Sequence, residues 1–239
     1  MKNRMINSAL IVSAILLQRF LYQTVDFEWY QIPFASSLMT LQNENGNLLL
    51  ILYAFVPIPF ILFEFSGRGR ALTEGYGKLW VIRAYKREHL CVNAIGKSII
   101  ELFVIILFQT IVFLPFDQKW QDITGSQMSL ILMMYGIGML NLVLLQFYLE
   151  FMMETNYANV LTNIFFVVSL FIGSRVLRSE IFYWVGLLLF PNMLFGTRNG
   201  AIYQETGYIH FEYAVITMLM LTVLLCLLIV MKFRKKDIF

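Results

Sequence analysis

The chain has 239 residues, of which 59% are hydrophobic and 14% are charged. Soluble domains carry roughly 25% charged residues, and one soluble core cannot bury this much apolar surface, so the composition excludes an ordinary soluble protein. The net charge of +3 is too small to indicate nucleic-acid binding. The two cysteines, Cys91 and Cys226, support neither a disulfide framework nor a metal site. The composition therefore predicts an all-α, polytopic membrane protein.

Six apolar runs are long enough to cross a hydrocarbon core, which is about 30 Å thick and takes roughly 20 helical residues. Numbered from one to six, the predicted spans are residues 5–22, 47–65, 98–116, 127–149, 159–174 and 211–231. Span one resembles a signal peptide, but no small-residue cleavage site follows it, which favours a retained helix. No linker or tandem repeat divides the chain, so residues 1–239 are predicted to form a single transmembrane domain.

Span two contains Pro57 and Pro59. Proline removes a backbone donor and clashes with the preceding turn, so these residues predict a kink or a local break in this helix.

A basic segment, residues 66–97, lies between spans two and three. It holds seven of the eighteen Lys and Arg residues, namely Arg68, Arg70, Lys78, Arg83, Lys86, Arg87 and Lys97. Short loops rich in Lys and Arg stay on the cytoplasmic side. The four glycines in 66–77 disfavour a continuous helix, whereas 78–90 predicts roughly three helical turns. Apolar and cationic residues mix on this helix, which fits either a groove on a partner protein or anionic lipid headgroups.

A seventh apolar run, residues 181–195, is only about 15 residues long and contains Pro191. We expect residues 175–210 to form a broken hairpin on the extracellular side, either re-entrant or interfacial. Six spans then place thirteen of the eighteen positive residues, and both termini, in the cytoplasm. Arg175, Arg178 and Arg198 are left outside, against the usual bias. They either bind lipid phosphates or snorkel at the outer boundary of span five, and the boundary is favoured.

Several polar residues within or beside the spans have structural interpretations. Asn141, Gln146 and Asn163 are predicted to form interhelical hydrogen bonds. Lys97 lies four residues before Glu101 and is the expected ion-pair partner of that carboxylate. Glu150 and Glu154 could share a proton or a cation, but a solvated helix end is favoured for both. Gly136 and Gly138 would permit close approach of another helix.

The sequence does not predict catalysis by the chain itself. Gly96-Lys97-Ser98 resembles part of a Walker A loop, but Cys91 stands where that loop needs its first glycine, and no strand precedes it. His89 and His210 are predicted to lie near opposite membrane faces, so they cannot share a metal. HExxH and GxSxG motifs do not occur. We therefore predict no catalytic, cofactor-binding or metal-ligating residues, and no enzyme activity.

The order of these elements resembles that of a known family. A basic helix within EGYGKLWVIRAYKR (residues 74–87), a broken hairpin before span six and the tail MKFRKKDIF occur together. This arrangement resembles the membrane subunit of a type-2 ATP-binding-cassette (ABC) exporter. It is most similar to small bacterial permeases of bacteriocin or peptide export and immunity systems.

The resemblance implies that a separate ABC-type ATPase subunit holds ATP and Mg and hydrolyses the nucleotide. Two permease copies would form the pathway in the bacterial cell membrane for a peptide-like or hydrophobic substrate. The basic helix would be the coupling helix that docks on the ATPase, through Lys78, Leu79, Trp80, Arg83, Tyr85, Lys86 and Arg87. The alternative is a stand-alone membrane immunity or sensor protein that binds a peptide or toxin without transport.

Overall fold

The computed structural model describes residues 2–23, 53–73, 87–113, 125–176, 183–196, 198–201 and 209–235. All the regular structure in these ranges is helical. The helices are α1 (Lys2–Gln23), α2 (Pro57–Phe65), α3 (Arg68–Ala71), α4 (Arg87–Phe113), α5 (Gly125–Glu150), α6 (Thr155–Val176), α7 (Tyr183–Leu188) and α8 (Phe211–Lys235). A 3-10 helix, Phe190–Leu194, lies between α7 and α8.

Four of these helices, α4, α5, α6 and α8, are long and apolar enough to cross a membrane. They correspond to predicted spans three to six, but α4 begins at Arg87, whereas span three was predicted to begin at residue 98. The predicted boundary between the basic segment and span three is therefore wrong, because residues 87–97 continue directly into the spanning helix. Their outward faces carry large exposed apolar side chains, such as Ile100 and Phe103 on α4, both 66% exposed. Water would oppose such exposure, so the chain is a helical membrane protein.

The six-span topology is confirmed only in part. The apolar stretch of α1, Ile6–Leu21, is 16 residues long, or roughly 24 Å of helix. Of predicted span two, the structure describes residues 53–65. Within that part, the helix is interrupted at Val56 and α2 begins at Pro57, as the proline positions predict, because proline fits the first turn of a helix better than its interior.

Helix α5 lies at the centre of the described structure. Half of its apolar span is buried, compared with 22% for α4 and for α8. It packs most extensively against α8 and also contacts the 3-10 helix, α6, α4, α2 and α3. The main apolar core contains Met134, Met139 and Leu142 of α5, together with side chains from the helices around it. A helix that is apolar on all sides is expected in such a central position.

The apolar run before α8 is broken, as predicted. α7 has six residues and the 3-10 helix has five, and the break between them falls at Leu189. The 3-10 helix is buried against α5 and α6. Asn192 holds it to α6, since its side-chain amide donates to the carbonyl of Ser169 at 2.9 Å. Arg198, expected at an outer boundary, is instead only 4% exposed, so the predicted snorkelling of this side chain is wrong.

The two glycines of α5 have different surroundings. A Cβ added to Gly138 would lie 2.5 Å from Cγ of Leu194 and 3.0 Å from Cε of Met218. A Cβ added to Gly136 would meet nothing closer than Cδ1 of Ile106, at 3.9 Å. Close approach is therefore confirmed at Gly138, where the 3-10 helix and α8 both reach α5, whereas Gly136 leaves room for a methyl group.

This difference predicts opposite effects of one substitution at two neighbouring sites. Gly138→Ala should destabilise the chain by about 1–3 kcal/mol, because Leu194 must move to admit the methyl group. Gly136→Ala should be neutral or stabilising by up to about 1 kcal/mol, since alanine favours helix. Thermal unfolding of both variants in the same detergent measures the difference. Equal unfolding temperatures would contradict the packing around Gly138.

Candidate functional site

The predicted docking residues fall mostly outside the described part of the chain. Lys78, Leu79, Trp80, Arg83, Tyr85 and Lys86 lie in residues 74–86, and only the backbone of Arg87, at the start of α4, is described. Their role on a coupling helix stays a prediction. The structure does describe the elements on either side of residues 74–86. Helix α3 precedes them and helix α4 follows them.

The attachment begins at a turn of residues 66–69, which we call the glycine turn. Gly67 has a φ of +82°, a left-handed conformation that favours glycine. The backbone N–H of Gly67 donates to Oε1 of Glu150 at 2.6 Å, and that of Gly69 donates to Oε2 at 2.8 Å. One carboxylate at the end of α5 therefore holds both ends of the turn.

Glu150 is only 2% exposed, so the predicted solvated helix end is wrong for this residue. Glu154 lies in the connection between α5 and α6 and is exposed as predicted. Gly69 allows the close approach, because a Cβ there would lie 3.0 Å from Oε2 of Glu150 and 3.1 Å from the carbonyl oxygen of Phe147. A carboxylate that accepts two backbone N–H groups forms charge-assisted hydrogen bonds, which are stronger than neutral ones. The glycine turn is thus fixed to α5.

A second attachment, the Arg68 cluster, joins the same turn to α4. Its members are Arg68, Glu64, Phe65, Ser98 and Glu101. The guanidinium of Arg68 pairs with Glu101, lies 3.8 Å from Oε1 of Glu64, and donates to Oγ of Ser98 at 3.2 Å. It also stacks over the ring of Phe65, with Cζ 4.4 Å from the centroid. Planar guanidinium suits such a site, since it offers several donors and an apolar face.

The Arg68 cluster corrects the predicted ion pair within α4. Among the described residues, the partner of Glu101 is Arg68, and no ion pair joins Glu101 to Lys97. Lys97 is exposed. The spacing of Lys97 and Glu101 allows an ion pair within α4. Glu101 instead pairs with Arg68, which belongs to a different helix. Arg68 could have been paired with Glu64 from sequence, because the two are four residues apart, on either side of the junction between α2 and α3.

The polar residues of α5 fasten it to its neighbours. Asn141 donates to the carbonyl of Met218 at 3.1 Å and accepts from the hydroxyl of Thr222 at 2.8 Å, which joins α5 to α8. Gln146 donates to the carbonyl of Leu62 at 3.1 Å, which joins α5 to α2. Both interhelical predictions are confirmed.

Asn163 behaves differently. Its amide donates to the carbonyl and the side-chain oxygen of Asn159, at 3.0 and 2.6 Å. Both bonds lie within α6, so the predicted interhelical role is wrong for this residue.

Within the described residues, no three His, Cys, Asp or Glu side chains lie close enough together to hold a metal ion. Cys91 and Cys226 are both free thiols. The glycine turn and the Arg68 cluster have a structural role, because they fix the start of the basic segment to α5 and α4.

Comparisons with known proteins extend over nearly the whole chain. A family model, DUF2705, described as a protein of unknown function, matches residues 10–239. The chain is also similar to the uncharacterized protein YybK of Bacillus subtilis (strain 168). The two are 23% identical over 214 residues, which cover 86% of this chain and 85% of that protein. No solved structure matches the chain.

Proposed function

Because this chain belongs to the DUF2705 family of proteins of unknown function, we propose a function from its own residues: it is the permease subunit of an ABC exporter. In this proposal the chain forms the membrane pathway, and a separate ATPase subunit binds ATP and Mg and drives the export of a peptide-like or hydrophobic substrate. The chain spans the bacterial cell membrane six times with both termini in the cytoplasm, and it works with a second permease copy.

The attachment of the basic segment carries this proposal. A segment that transmits displacement from a cytoplasmic motor must be fixed firmly to the helices that it moves. The glycine turn is held by a buried carboxylate of α5, and Arg68 joins the same turn to α4. At its other end the segment runs into α4, one of the membrane-spanning helices. A loop held only by lipid headgroups would need no such attachment.

The coupling helix itself, residues 78–87, is proposed to lie in a cleft on the ATPase. Trp80 and Tyr85 would be the anchors, because large aromatic residues dominate the energy of many interfaces. Arg83, Lys86 and Arg87 would set the orientation through charge, which steers encounter and fixes register. Lys78 and Leu79 would complete the contact.

The test starts from the tagged full chain, purified in mild detergent from its native membranes. A protein carrying a Walker A motif should co-purify and should hydrolyse ATP. The double variant Trp80→Ala, Arg83→Glu should then bind that ATPase at least roughly thirtyfold more weakly, since one lost anchor costs about 2 kcal/mol or more. Lys232→Glu is the matched control. It reverses an exposed charge at the end of α8 and should leave the affinity unchanged.

Two outcomes would contradict the proposal. One is unchanged affinity of the double variant for the ATPase. The other is full activity of the purified chain with no ATPase present. Peptide binding without an ATPase would support the stand-alone immunity or sensor protein instead.

A further inference from the structure

We draw no further inference here: the strongest candidate, the apolar groove of about 510 Å³ between α4 and α5, opens on the exposed apolar surface of these helices, and nothing in the structure shows whether a lipid chain or a second copy of the protein covers it.

Discussion

Glu150→Ala should destabilise the chain by about 2–5 kcal/mol, one of the two largest effects that we expect from a single substitution. The methyl group of alanine cannot replace the oxygens that accept from Gly67 and Gly69. Each buried N–H left without a partner costs about 1–3 kcal/mol. The glycine turn should also open locally, because its bonds to α5 are lost. Thermal unfolding in detergent measures the first effect, and the rate of tryptic cleavage after Arg70 measures the second.

Glu154→Ala is the matched control for this experiment. It removes the same group four residues later, in the connection to α6, where the side chain is exposed, and should change the free energy of unfolding by no more than about 0.5 kcal/mol. If Glu150→Ala and Glu154→Ala unfold at the same temperature and are cleaved at the same rate, the carboxylate of Glu150 does not hold the turn.

Arg68→Ala should cost about 1–3 kcal/mol. The loss of the guanidinium leaves Glu64 and Glu101 without the cation that they share. The Glu64 side chain is 13% exposed, so its charge is left largely buried and uncompensated, whereas that of Glu101 is 38% exposed and contributes less. Arg68→Lys should recover only part of the loss, since an ammonium lacks the planar group that stacks on Phe65. Thermal unfolding in detergent measures both variants.

A surface ion pair provides the comparison. Arg234 lies 3.8 Å from Glu88 and is 77% exposed, so Arg234→Ala should cost no more than about 1 kcal/mol. Combining Arg68→Ala with Glu64→Gln should restore part of the lost stability, because it removes one of the two unpaired carboxylates. Equal losses for Arg68→Ala and Arg234→Ala, or no recovery in the double variant, would contradict the Arg68 cluster.

The long helices could be predicted from the sequence, because a bilayer demands apolar runs of a fixed length. Predicted span five, residues 159–174, became α6 at Thr155–Val176, so even its ends differ by only a few residues. The break at Pro191 could be predicted as well. In both cases the physical cause acts within the segment itself, through hydropathy or through the proline ring.

Contacts between distant residues could not be predicted in the same way. Glu150 looked like a solvated helix end, since its partners are more than 80 residues earlier in the chain. Glu101 had a local candidate in Lys97, yet it pairs with Arg68, 33 residues away. Amides illustrate both outcomes. Asn141 and Gln146 donate to backbone carbonyls of other helices, whereas Asn163 donates to Asn159 one turn back on its own helix.

Three sets of hydrogen bonds between α5 and its neighbours restrict the motions that the chain can make. Asn141 ties it to α8, Gln146 ties it to α2, and Glu150 ties it to the glycine turn. A rotation of α5 about its own axis, or a slide of one turn, would break all three sets of bonds at once. We therefore expect α2, α5 and α8 to move together in any conformational cycle, because separating them costs these bonds.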